Sequence, residues 1–167
     1  MINRIIGVLT LNVNTYEEIE ADKNATIQAF SIVVLSSIVT AIILKPETGF
    51  SLANFISTSI IGIFLWALWA LVTMFIGTKL LPTQETSSNW GELARTLGFA
   101  QSPKVLLIFA FFVPGMALPV FVAVSIWVLI ATVIAVRQAL DYTSTLRAVL
   151  VTMLSYIPYT IIMGLLS

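Results

Sequence analysis

The chain has 167 residues, of which 59% are hydrophobic and only 10% are charged, and its formal net charge is zero. A soluble domain carries about 25% charged residues, so the composition excludes a water-soluble globule, and the absence of a basic field argues against nucleic acid as a partner. Cysteine and histidine are both absent, which removes disulfides, thiolate and imidazole chemistry and a Ser-His-Asp nucleophile. We therefore expect a non-enzymatic membrane protein without a cofactor.

The N-terminal segment 1–25 is predicted to lie on the cytoplasmic side, outside the hydrocarbon. Apolar residues recur at helical spacing on one face, at Ile2, Ile5, Ile6 and Leu9. This pattern predicts a helix lying on the inner leaflet. The sequence from Thr15 to Glu18 has the spacing of a capping box and predicts that a second helix begins at Thr15.

Three acidic residues of this second helix, Glu17, Glu20 and Asp22, are the candidate metal ligands. Hard cations bind several carboxylate oxygens, so such a cluster could hold a divalent ion. The simpler interpretation is a solvated start of a helix, with its acids near the positive end of the helix dipole.

Charge-free apolar runs predict the membrane spans, because a helix needs about 20 apolar residues to cross a hydrocarbon core of ~30 Å. Three such runs stand alone, at about 26–44, 52–78 and 147–166. Three wide aromatic residues, Trp66, Trp69 and Trp127, fall in the middle of spans, where core or oligomer contacts are the expected role.

The uncharged stretch 105–136 is too long for one comfortable span. It is interrupted by two prolines that flank a glycine, at Pro114, Gly115 and Pro119. Such a combination is typical of a turn. Two short helices, at about 104–118 and 120–136, are one interpretation, and a single kinked and tilted helix is the other.

The placement of basic residues favours the two-helix interpretation. With five spans and a cytoplasmic N-terminus, every Lys and Arg is cytoplasmic except Lys45, as the positive-inside rule asks. With four spans, Arg137 and Arg147 would lie outside. We therefore predict an all-α fold, a polytopic membrane helical bundle of five transmembrane helices with a short central helical hairpin (spans 3 and 4). The C-terminus would lie outside, and residues 1–167 would form a single domain.

Two cytoplasmic loops carry further signals. Asn89 and Glu92 have capping-box spacing, and Trp90 begins an amphipathic pattern with Arg95 on its polar side, which predicts a short helix in the inner interface. After the fourth span, Arg137 and Asp141 are four residues apart and are expected to pair on a helix extension.

The chain resembles the compact bacterial members of the Yip1 domain family. The resemblance rests on YEEIEAD (16–22), ELARTLGFAQSPKVLLIF (92–109), a proline-broken apolar hairpin, Trp127 and RQALDYTSTLRAVLVTMLSYIP (137–158). In this resemblance Gly98, Phe99 and Pro103 match a glycine-aromatic motif that opens the third span of eukaryotic members, although Leu97 stands where those members often have an aromatic residue.

The resemblance implies five spans, a cytoplasmic N-terminus and a place in the bacterial cytoplasmic (inner) membrane. Eukaryotic members bind small GTPases and one another in vesicle traffic. That role is not carried over, because it uses a long cytoplasmic N-terminal region, whereas the corresponding segment here is only 1–25.

The leading functional hypothesis is a protein that acts by association with itself, with other membrane proteins or with the lipid bilayer. The candidate interaction and motif residues are Trp90, Arg95, Gly98, Pro103, Arg137, Asp141 and Arg147. The alternative is a small channel or facilitator beside the short central hairpin. A third hypothesis is a metal-responsive protein that uses Glu17, Glu20 and Asp22.

Overall fold

A computed structural model describes residues 1–44, 51–112 and 115–166, and within these ranges the chain is helical with no strand. The helices are α1 (Ile2–Leu9), α2 (Val13–Ala21), α3 (Ala25–Leu44), α4 (Leu52–Phe75), α5 (Trp90–Phe99), α6 (Phe109–Phe112), α7 (Ala117–Ala139) and α8 (Thr145–Leu166). A π-helical segment, Ile76–Leu80, continues α4, and a 3-10 segment, Ser102–Ile108, precedes α6. Lys45 and Pro114, which the topology and turn predictions used, lie outside the described residues.

Four helices of the described chain are long and apolar enough to cross a membrane, namely α3, α4 with its π-helical segment, α7 and α8. The prediction of a helical membrane protein is confirmed, but the prediction of five spanning helices is wrong. The third predicted span, 104–118, is instead the 3-10 segment followed by the short helix α6. The fourth begins at Ala117, because Pro119 is tolerated in the first turn of a helix, where its missing N–H has no partner to lose.

Helices α4 and α7 end at the same end of the bundle. A Cβ added to Gly77, just past α4, would lie 2.4 Å from Cδ1 of Leu140, just past α7. Arg147 of α8 also reaches this end, where its Nη1 donates to the carbonyl oxygen of Pro82 at 2.7 Å. We call this the basal end, and the opposite end, where α7 begins, the distal end. Because α4 and α7 run in the same direction, the chain between them must return from the basal to the distal end.

The first part of that return is α5, and the prediction that this helix has an exposed polar face is wrong. All its residues from Leu93 to Phe99 are buried, and the helix packs against α2, α3, α4 and α7. Close approach is possible because Gly98 faces α3, where an added Cβ would lie 2.7 Å from Cβ of Ala29. The predicted capping box is confirmed, since Asn89 Oδ1 accepts from the backbone N–H of Glu92 at 3.2 Å and Glu92 Oε2 accepts from that of Asn89 at 2.9 Å.

The 3-10 segment continues the return along α3. Ser36, in the middle of α3, donates its hydroxyl to the carbonyl oxygen of Gln101 at 3.2 Å. One turn of α3 nearer the distal end, Val39 belongs to a small buried apolar cluster with Leu107 and Val124. The segment therefore runs towards the distal end between α3 and α7.

The two N-terminal helices are confirmed as helices, but the predicted start of the second is wrong. It begins at Val13, because the side chain of Asn12 caps it by accepting from the backbone N–H of Asn14 at 3.0 Å. Thr15 instead packs against Gly7 of α1.

Two of the mid-span tryptophans, Trp66 and Trp69, are core residues, as predicted, whereas Trp127 is half-buried. Trp66 and Trp69 are only 7% and 4% exposed. The indole N–H of Trp69 donates to the hydroxyl of Ser155 at 3.1 Å, which joins α4 to α8. The indole N–H of Trp127 donates to the carbonyl oxygen of Leu9 at 3.1 Å, which holds the end of α1 against α7.

Candidate functional site

A buried arginine links α5 to α2 at the basal end. Arg95 is only 6% exposed, and its Nε donates to the carbonyl oxygens of Ile19 at 3.2 Å and Glu20 at 3.1 Å. Its Nη2 also donates to the oxygen of Glu20. These carbonyls belong to the last turn of α2, where they lack intrahelical partners and carry the negative end of the helix dipole. Arg95, predicted on the polar face of an interfacial helix, is thus a buried connection between two helices.

Acidic side chains from three elements surround this connection. Burial raises the pKa of the half-buried carboxyl of Glu20 to about 7, and the nearby carboxylates of Asp141 and Glu92 add to the effect. The positive charge of Arg95 acts in the opposite direction on the pKa of Glu20. Residues of α2, of the first turn of α5 and of the α7–α8 loop therefore form one electrostatic neighbourhood.

The three candidate metal ligands are not gathered into a metal site. Glu17 Oε1 accepts from the side-chain amide of Gln138 at 2.9 Å, whereas Asp22 accepts from Arg4 at 2.8 Å. In the described ranges no group of three acidic residues could hold a metal ion. The side chains of Glu17, Glu20 and Asp22 separate because each has a different neighbour, so the structure gives the cation hypothesis no support.

Arg4 joins α1 to the C-terminal half of α2 through two ion pairs. Its Nη2 lies 2.8 Å from Oε1 of Glu18 and 2.8 Å from Oδ2 of Asp22. The pKa of Asp22 lies below its usual value because the carboxylate accepts from the backbone N–H of Asn24 and from Arg4. Sequence patterns did not reveal this arrangement, because both partners lie several helical turns further along the chain and on a different helix or its end.

The predicted pair of Arg137 with Asp141 is wrong. Helix α7 ends at Ala139, and Asp141 has φ of 52°, so helical four-residue spacing no longer holds. Arg137 instead donates to the carbonyl oxygens of Tyr142 at 3.2 Å and Thr143 at 3.3 Å. The carboxyl of Asp141 has a raised pKa, first through burial and then through Glu92.

Tyr142 is a basal-end residue that the sequence reasoning missed. It is 3% exposed, and its hydroxyl lies 2.9 Å from the carbonyl oxygen of Gly77 and 2.7 Å from that of Leu81. The guanidinium of Arg147 lies 5.9 Å from the centre of its ring. A tyrosine placed directly after an apolar helix was the available signal, since a buried tyrosine hydroxyl usually finds a partner.

The remaining motif candidates have structural contacts. Trp90 is 38% exposed, and its indole N–H donates to the carbonyl oxygen of Ala67 at 3.0 Å. Gly98 permits the close contact of α5 with α3. Pro103 is buried in the first turn of the 3-10 segment.

One of the comparisons with known proteins assigns the chain to a family. The Yip1 domain model matches residues 6–166, which is nearly the whole chain. No curated protein and no solved structure gives a significant match. Together with its four long apolar helices, the match identifies an integral membrane protein that belongs to the Yip1 domain family.

Proposed function

We propose that this protein is a non-enzymatic membrane protein that acts by association with other membrane proteins, with itself or with lipid. Its contact surface would be the basal platform, which we define as α2, the first turn of α5 and the α7–α8 loop. The observation that carries the proposal is the buried link from Arg95 to the carbonyl oxygens of Ile19 and Glu20.

The link matters because it fixes the platform before any partner binds. A second connection, from Gln138 to Glu17 at 2.9 Å, joins the end of α7 to α2. Tyr142 ties the α7–α8 loop to the end of α4. A preorganised surface loses little conformational entropy on binding, which suits recognition.

We further propose five passages through the bacterial cytoplasmic membrane, with the N-terminus and basal end in the cytoplasm and the C-terminus outside. Because α4 and α7 run in the same direction, an odd number of passages is needed between them. We assign one passage to α5, the 3-10 segment and α6. Basic residues also support this orientation, because Arg4, Arg137 and Arg147 all bond at the basal end.

Single cysteines test the orientation, since the chain has none of its own. Thr143→Cys marks the basal end and Met116→Cys the distal end, and both positions are exposed. A membrane-impermeant maleimide applied to intact cells should label Met116→Cys. It should label Thr143→Cys only after the cells are permeabilised. The reverse pattern would refute the proposed orientation.

Photo-crosslinking tests the association. A crosslinking amino acid at position 143 should give discrete protein adducts in native membranes, and the same amino acid at position 116 serves as the matched control. Adducts at 143 that disappear in an Arg95→Met background would support a fixed platform. No adduct at 143, or equal patterns at both positions, would count against it.

The alternative of a channel or facilitator loses its structural premise. It assumed two thin helices in the central hairpin, but α7 alone has 23 residues and is long enough to span. The 3-10 segment packs against both α3 and α7. No observation within the described ranges favours a solute path, so we do not propose one.

A further inference from the structure

The N-terminal hairpin, which we define as α1, α2 and the turn 10–12 between them, has both of its open ends at the basal end. Arg4, in the first turn of α1, pairs with Asp22, just past α2, with 2.8 Å between Nη2 and Oδ2. Asp22 in turn shortly precedes Ala25, where α3 begins. The hairpin therefore starts and finishes at the level where the first long apolar helix starts.

The turn of the hairpin lies beside the middle of a membrane-spanning helix. The indole N–H of Trp127 donates to the carbonyl oxygen of Leu9, the last residue of α1, at 3.1 Å. Trp127 lies between Ala117 and Ala139, the ends of α7, roughly 15 Å from the first and 18 Å from the second at ~1.5 Å per residue. One side chain bridges only part of the distance to the basal end. The end of α1 therefore lies inside the span.

A second neighbour of α1 gives the same depth. Helix α1 packs against the 3-10 segment, and the residue that precedes this segment, Gln101, accepts at its carbonyl oxygen from the hydroxyl of Ser36. Ser36 belongs to the central turns of α3. A helix lying flat on the inner leaflet, as the sequence pattern predicts for 2–9, would not place one end beside the middle turns of the spans.

The turn also keeps its polar groups within the protein. The last four carbonyl oxygens of a helix lack intrahelical partners, and hydrocarbon supplies no water to replace them. In α1 the carbonyl oxygens of residues 6–8 accept from backbone N–H groups of the turn, and that of Leu9 accepts from Trp127. The hydroxyl of Thr10 donates back to α1, and the side chain of Asn12 caps α2. The end of α1 is thus bonded as a helix end in hydrocarbon requires.

The outer surface of the hairpin carries apolar side chains that the bundle does not cover. Ile6 is 54% exposed and Val13 is 39% exposed, and both lie within about one helical turn of the tip. Gly7 and Val8, on the inner side of α1, are buried. At the depth of the tip the surrounding solvent is hydrocarbon, which matches exposed apolar side chains.

We propose that the N-terminal hairpin is re-entrant. It enters the membrane from the basal side, turns at 10–12 within the leaflet and leaves on the same side, and its surface at Ile6 and Val13 contacts lipid acyl chains. The C-terminal half of α2 remains part of the basal platform. The inference rests on the membrane embedding of the protein, and it depends neither on association with another protein nor on which side of the membrane the basal end faces.

Spin-label accessibility in the full chain, reconstituted into phosphatidylcholine vesicles, tests the depth of the hairpin. Ile6→Cys and Val13→Cys carry the nitroxide near the tip, and Asn24→Cys carries it at an exposed position between α2 and α3. Met153→Cys, at a 46% exposed position of α8, is the reference for a residue that faces acyl chains. Oxygen concentrates in hydrocarbon and a nickel chelate stays in water, so the ratio of the two collision rates reports the depth of the label.

Labels at positions 6 and 13 should collide with oxygen more than with the nickel chelate, as at position 153, and the label at position 24 should show the opposite. Accessibility to the nickel chelate at positions 6 and 13 equal to that at position 24 would overturn the proposal, because the hairpin would lie in water. Protection from both reagents would also overturn it, because protein would then cover this surface.

Two probe positions on different helices keep the test decisive if one variant does not fold. The outcome is independent of the crosslinking at position 143, so failure of the lipid contact and failure of protein association can be told apart.

Discussion

The Nε atom of Arg95, in α5, donates to the main-chain carbonyl oxygen of Glu20, in α2, at 3.1 Å. The two residues are 75 positions apart in the chain. This contact therefore holds α2 against α5 through main-chain acceptors, which any residue type at positions 19 and 20 would supply.

Arg95→Met should destabilise the fold and loosen α2. The carbonyl oxygens of Ile19 and Glu20 would lose a charged donor, which costs about 1.5–3 kcal/mol in the free energy of unfolding. Arg95→Lys keeps the charge but cannot form the same forked contacts, so it should recover only part of the loss. Thermal unfolding in detergent measures both variants, and an unchanged midpoint for Arg95→Met would show that the link is not needed.

Gly98→Ala should be destabilising because its Cβ would lie 2.7 Å from Cβ of Ala29 and 3.3 Å from Cα of Ala29. Overpacking of this kind costs about 1–3 kcal/mol. Gly164→Ala is the matched control, since its added Cβ meets nothing within 4 Å, and alanine favours a helix more than glycine does. Equal effects of the two substitutions on the unfolding midpoint would contradict the close packing of α5 on α3.

Tyr142→Phe should weaken the connection between the α7–α8 loop and the end of α4. It removes the hydroxyl that lies 2.9 Å from the oxygen of Gly77 and 2.7 Å from that of Leu81, at an expected cost of about 1–2 kcal/mol. Faster proteolysis of the loop, measured beside the wild type, is the readout. Tyr159→Phe, which alters a tyrosine in the middle of α8, should leave loop cleavage unchanged.

Stability should fall as pH rises through the range in which Glu20 ionises. Its folded-state pKa is about 7, above the ordinary value of 4.5, so the carboxyl favours the folded state when it is protonated. The contribution is complete below about pH 4.5 and is lost between there and pH 7. Glu20→Gln should therefore raise the unfolding midpoint at pH 8 and change it little at pH 4.5.

The matched variant Glu85→Gln, at an exposed position of the loop between the π-helical segment and α5, should not reproduce this pH-dependent difference. If Glu20→Gln lowered the midpoint at pH 8, the ionised carboxylate would be stabilising, and the proposed electrostatic neighbourhood would be wrong.

The local signal for the start of α5 was reliable, whereas the similar signal at Thr15 did not mark the start of α2. The capping box of Asn89 with Glu92 is present as predicted, because both partners belong to the same first turn. The burial of α5 could not be read in the same way. Ala94 and Gly98 are small residues four apart, which permits close helix packing, but only Trp66 and Ala29 on other helices reveal that this surface is covered.

The sequence by itself determined that the chain is a helical membrane protein and where its long helices lie. Long charge-free apolar runs are stable in the hydrocarbon of a membrane. There the backbone N–H and C=O groups must form hydrogen bonds within their own helix. The sequence could not determine the path by which the chain returns from the basal to the distal end between α4 and α7. The returning path consists of α5, a 3-10 segment and α6, and the irregular 3-10 segment packs against α3 and α7. The burial of Arg95 follows from that packing, which depends on contacts between residues distant in the chain.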